Sequence, residues 1–149
     1  VTDNQFLQQF EDCSLPFDLW THRAHLKVAF LYARAHPFDI ALGKMRSGIK
    51  AYNAVHKVPE TETSGYNETT TCAMMQLVAA TIAAYESVFP TPTADAFCDT
   101  HPQLLNKHVL RLFYSPQRRM HPDAKDRYVE PDLAPLPLIR PSTDGDHTL

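Results

Sequence analysis

The segment Trp20-Thr-His-Arg-Ala-His sets His22 and His25 three residues apart, the spacing at which side chains in one helical turn meet on the same face. Thr21 is a candidate N-cap for that helix. A helix N-terminus disfavours positive charge, so a histidine in the first turn tends to be neutral, the form that binds a metal or accepts a proton. Counted at the helical period, His25 falls opposite Arg23 and in line with Ala29 and Tyr32, which predicts that it points inward. His56 continues the stripe Met45, Ile49, Tyr52 and is expected to face the core from the end of the next helix. Glu68 opens another helix, with Tyr66 two residues before it. Each of these residues also has a purely structural reading: the histidine pair as capping groups, His56 at the negative end of a helix, Glu68 at a positive one.

Together they suggest two chemistries. Imidazoles with a carboxylate suit a divalent transition metal such as iron, zinc, manganese or copper, and helical bundles build such sites between facing helices. His25, His56 and Glu68 are the expected metal ligands, with His22, Tyr66 and Glu68 as catalytic groups that orient the substrate or move protons. An open coordination position would activate a water or polarise a substrate, as in a lyase, isomerase, cyclase or oxygenase. The metal-free alternative is histidine and glutamate acid-base work in an isomerisation or cyclisation. A third reading is a noncatalytic ligand-binding or assembly protein. Arg23, Arg46, Arg111, Arg118, Arg119 and Arg127 could hold a carboxylate or phosphate, which makes an anionic small-molecule substrate one expectation. Most of them are expected to be solvated surface charges. Cys72 reads as core rather than nucleophile. No serine elbow, glycine-rich phosphate loop or zinc-protease motif occurs.

These residues must be carried by helices. Only four glycines occur in 149 residues, too few for the tight turns that antiparallel strands need. Apolar spacing predicts an all-α, compact helical bundle. A first helix runs from Asp3, its expected N-cap, to before Pro16. The second covers about residues 21–35, stopping where Pro37 disfavours helix at His36. Its charged stripe, Arg23, Lys27 and Arg34, has Phe30 beside it, so a partner helix or the tail is expected to cover that side. The third covers about 39–56, with Asn53 outside and Gly43 and Gly48 weakening it. The fourth, about 67–88, carries no charge between Glu68 and Glu86 and is the central apolar helix. Shorter pieces follow over about 93–100 and 103–114, and another opens at Ser115. The second and third helices form an antiparallel hairpin, which would bring the start of one, the end of the other and the start of the fourth together.

The length fits one domain, residues 1–130, followed by a Pro-rich extended tail, 131–149. In that tail Leu136, Leu138 and Ile139 are expected to form a strap over the bundle and 142–149 are expected to be disordered. A net charge of -3 and a pI near 6.2 argue against nucleic acid as the main partner. The composition, 44% hydrophobic and 21% charged, together with threonines in the fourth helix, argues against a membrane class. Three cysteines without a Cys-x-x-Cys pair suggest a reduced, cytoplasmic setting. A homodimer through the open side of the second helix is the self-association expected. The first ten residues lack the basic-then-apolar order of a secretory signal; with the first Met at position 45, earlier removal of a leader stays open.

The strings Trp20-Thr-His-Arg-Ala-His-Leu26, Val58-Pro-Glu-Thr-Glu-Thr-Ser-Gly-Tyr-Asn-Glu-Thr69 and Val129-Glu-Pro-Asp-Leu-Ala-Pro-Leu-Pro137 resemble an uncharacterised family of small helical proteins in bacteria and fungi. The resemblance covers most of the chain and implies no activity. In that family the position of Asn67 is a histidine, giving Gly-Tyr-His-Glu-Thr, so the resemblance implies that this chain lacks one candidate ligand.

Overall fold

The computed structural model describes residues 1–139, and the expected disorder of 142–149 lies outside the described residues. Among the described residues, seven α-helices carry the fold, with three short 3-10 turns and no strand. Helix α1 (Asp3–Glu11) is capped by Thr2, not Asp3: the Thr2 hydroxyl accepts from the Gln5 amide while the Gln5 side chain accepts from the Thr2 amide. That reciprocal pair satisfies two of the helix's orphan donors. The Asp3 carboxylate is thereby free to accept from the amide of Ala94, 3.0 Å away.

A 3-10 turn, Phe17–Leu19, delivers the chain to α2 (His22–Ala35), capped by Thr21 as expected. The helix stops at His36, whose extended backbone (φ -139, ψ 156) is the conformation a following proline enforces. Helix α3 (Phe38–Val55) then turns back. The hairpin is closed at its far end by aromatic contact: Trp20, just before α2, lies 5.1 Å from Tyr52 near the end of α3. Helix α4 (Glu68–Tyr85) packs on both. It is buried around most of its circumference, which is what a charge-free helix requires. It ends before the expected position 88 because Glu86 turns its carboxylate onward to the amide and hydroxyl of Thr91.

Helix α5 (Ala94–Thr100) covers the charged side of α2. Arg23 pairs with Asp95 and Asp99, Lys27 with Asp95, and Phe30 stacks on Phe97 with ring centres 4.5 Å apart. The face of α2 considered for self-association is therefore occupied within the chain. Residues 103–114 are not one helix but two 3-10 turns, Pro102–Leu105 and Val109–Leu112. Between them the Asn106 side chain accepts from the His108 amide, the local bond by which Asn competes with helical backbone. Two single-turn helices follow, α6 (Pro116–Arg119) and α7 (Pro122–Asp126), of which α7 has no sequence signal beyond its proline. The tail runs back as an extended strap: the Leu133 amide donates to the Phe113 carbonyl, Gln76 donates to the Pro137 carbonyl, and Leu136 is buried. Leu138, expected in the strap, is 80% exposed. No helix among the described residues is long and apolar enough to cross a membrane.

Candidate functional site

The first turn of α2 is held by an aromatic stack. Phe10, Trp20 and His25 lie ring on ring, with centres 4.8 and 3.7 Å apart, and Phe10 and Trp20 both rest on Tyr52. Phe10 comes this close only because residue 48 is glycine; a Cβ there would sit 2.6 Å from its ring. Behind the stack, His25 Nδ1 lies 2.7 Å from the Thr21 carbonyl. A carbonyl can only accept, so Nδ1 carries the proton and Nε2 holds a lone pair. Among the described residues Nε2 has no hydrogen-bond partner. No fully buried side-chain nitrogen or oxygen is left unpaired among the described residues, so Nε2 retains some accessible surface. Burial lowers the His25 pKa to about 4, against the smaller opposing effect of the Thr21 carbonyl.

The space beside it is a partly open cavity of about 320 Å³, walled by Leu26, Met45, Ile49, Met74, Met75 and Leu110. Its polar groups are few: His22, His25, Thr70, Thr71, Lys107 and Arg119. His22 donates through Nε2 to the Leu104 carbonyl at 2.8 Å, which leaves its Nδ1 as an acceptor. A second cavity, about 300 Å³, shares His25, Ile49, Thr70 and Thr71 with the first, so the His25 ring stands at their common wall. Asn67, at the position where the resembling family carries a histidine, has a structural duty: its side chain caps α4 by accepting from the Thr70 amide.

The other expected site residues go elsewhere. His56 points away from both cavities, its Nε2 bonded to the Cys13 carbonyl at 2.9 Å and its ring between Tyr52 and Phe17. Glu68 is gripped by Arg46 through two bonds of 2.9 and 2.7 Å, by the Tyr66 hydroxyl at 2.6 Å and by Cys72 at 3.2 Å. The Arg46 guanidinium, more than the other two donors, holds its pKa down to about 2. Burial and the neighbouring carboxylate push the Cys72 thiol up to about 12 and raise the Tyr66 hydroxyl as well. This cluster lies off the His25 cavities, of which only the second touches it, at Tyr66. The expected grouping of His25, His56 and Glu68 thus separates into three environments. Among the described residues no group of three or more His, Cys, Asp or Glu side chains could hold a metal ion.

Three of the six candidate arginines are neutralised by carboxylates: Arg23, Arg46 and Arg127. Arg118 donates to the Glu130 carbonyl. Arg119 is half-buried and, among the described residues, its guanidinium makes neither an ion pair nor a hydrogen bond; its backbone amide donates to the Ser115 carbonyl. It borders both the His25 cavity and a third one of about 450 Å³ that also holds Arg111 and His108. Nothing in the spacing of the sequence separates Arg119 from Arg118; only its position across the fold does. Against protein-family models, curated proteins and solved structures, the chain matches none.

Proposed function

We propose that this protein is a small-molecule enzyme working by acid-base chemistry, with His25 as the base in an apolar cavity at one end of the bundle. One observation carries this reading: an imidazole fixed in a single tautomer and kept neutral by burial, with its unprotonated nitrogen not fully buried and its ring lining a ligand-sized space. Ligand sites are typically about 300 to 1,000 Å³, mostly apolar, with a few convergent polar groups. The Thr21 carbonyl opposite the reacting nitrogen would hold the ring in place and favour the imidazolium once it forms, the orienting role a third group plays in acid-base sites. Nε2 takes a proton from a substrate carbon, the electron pair stays on the substrate as an enolate or enamine, and the same nitrogen returns the proton to that carbon or a neighbouring one. The Thr70 hydroxyl donates a hydrogen bond to the substrate and His22 Nδ1 accepts one from it. Glu68, ionised and fully engaged, is a framework group here. The metal-dependent version has no donor cluster behind it among the described residues.

The test is hydrogen exchange. Incubated in D2O near neutral pH with pyruvate, 2-oxobutyrate and 4-phenyl-2-oxobutyrate, the protein should speed incorporation of deuterium next to a carbonyl, read by proton NMR. His25→Gln should lose at least 100-fold of that rate, within the usual range for a general base of about 10² to 10⁴. Equal rates in the two proteins would remove His25 from the chemistry.

A further inference from the structure

Lys107 and Arg119 line the His25 cavity, and Arg119 also lines the neighbouring cavity with His108 and Arg111. Two other charged groups face that second space. Lys125 is already satisfied by Glu60 and the carbonyls of Ser64 and Tyr66, and Glu62 is the one carboxylate. Lys107, Arg111 and Arg119 make no ion pair among the described residues, although the chain as a whole carries a net charge of -3. A half-buried guanidinium without a carboxylate is costly unless something anionic comes to it. The same crowding lowers the pKa of His108, chiefly through Arg111, and burial together with Arg111 lowers that of Arg119.

We propose that Arg119, flanked by Lys107 and Arg111, anchors the anionic head of an amphipathic small molecule whose apolar body lies against Met45, Met74, Met75 and Leu110 beside His25. This rests on the reading that the cavity takes a small molecule, and it names the class: a carboxylate or phosphate on an apolar body. Guanidinium pairs with either head through two parallel bonds. The arrangement also joins binding to chemistry, because an anion drawn into the cavity favours protonation of the nearby imidazole and makes His25 a stronger base when it is occupied.

The probes are octanoate, octyl phosphate and octan-1-ol, titrated calorimetrically into the full chain at low and at 150 mM salt. At least one anion should bind about 10- to 100-fold more tightly than the alcohol, the range of a charge-assisted bond. Its advantage should shrink as salt rises. Arg119→Gln should bring the anion to the affinity of the alcohol while leaving the alcohol unchanged, and Arg119→Lys should restore part of the preference. Lys107 is exposed, so Lys107→Gln offers a second variant that does not touch packing, with a smaller loss in the same direction. An anion preference unchanged in both variants, or no binding of any probe, overturns the proposal. The outcome is separable from that of the exchange experiment. Arg119-dependent preference without deuterium exchange leaves a binding site and removes the enzyme; exchange without the preference keeps His25 and removes the anchor.

Discussion

Two ionisable residues that resemble each other in sequence, each in the first turn of a helix, have opposite fates. His25 is desolvated with no charged partner, so its pKa falls to about 4, and Glu68 is desolvated beside Arg46, so its pKa falls to about 2. Both shifts add stability at neutral pH that acid removes, over different windows. The His25 contribution is present above its ordinary 6.5 and lost as pH falls through about 4; the Glu68 contribution is present above 4.5 and lost toward about 2. Replacing Glu68 leaves Arg46 and Tyr66 without their acceptor. Glu68→Ala is therefore expected to cost about 2 to 3 kcal/mol at pH 7, and to flatten the loss of stability between pH 4.5 and 2. Urea unfolding across that range measures both, and a variant as stable as wild type would contradict the buried role of the pair. His25→Gln, by contrast, should flatten the loss between pH 6.5 and 4.

At the scale of elements, the two glycines of α3 look alike in sequence, as helix-weakening positions. A Cβ at Gly43 would meet nothing within 4 Å, whereas at Gly48 it would strike the Phe10 ring, which is fully buried and stacked against Trp20 and Tyr52. Gly43→Ala should then stabilise the protein by about 0.5 to 1 kcal/mol through helix propensity alone. Gly48→Ala should destabilise it by about 1 to 3 kcal/mol, the usual cost of overpacking. The thermal midpoints of the two variants, moving in opposite directions, check this; a gain in both would mean that Phe10 yields. Because Phe10 backs Trp20 and Trp20 backs His25, Gly48 belongs to the support of the site. Helix ends are legible in the sequence where a side chain caps the backbone locally, at Thr21, Asn67, Thr93 and Ser115, and where Pro37 disfavours helix at the residue before it. They are not legible where the deciding bond is a reciprocal pair, as at Thr2, or where Asn106 breaks an apolar run into two turns.

Across the whole molecule, the helical bundle, the buried α4 and the inward His25 follow from periodicity, because burial of apolar area decides them and sequence spacing reports it. The cleft does not follow from spacing. His56 stands on the predicted stripe, yet one further turn of α3 carries it past Tyr52 to the Cys13 carbonyl. Glu68 begins its helix at the predicted end, but Arg46, whose spacing does not distinguish it from a solvated surface arginine, reaches it first. Arg119 meets α2 and α4 through a cavity formed by segments nearly a hundred residues apart. What the fold assembles there is a neutral imidazole and an unpaired guanidinium lining one largely apolar space. The measurement that bears most directly on this is an NMR titration of His25 in protein labelled with ¹⁵N and ¹³C at histidine. The account predicts a ring protonated at Nδ1 and bare at Nε2 at pH 7, titrating near pH 4 in the free protein and higher with octanoate bound. A ring protonated at Nε2, or titrating near 6.5 with no response to octanoate, would contradict it.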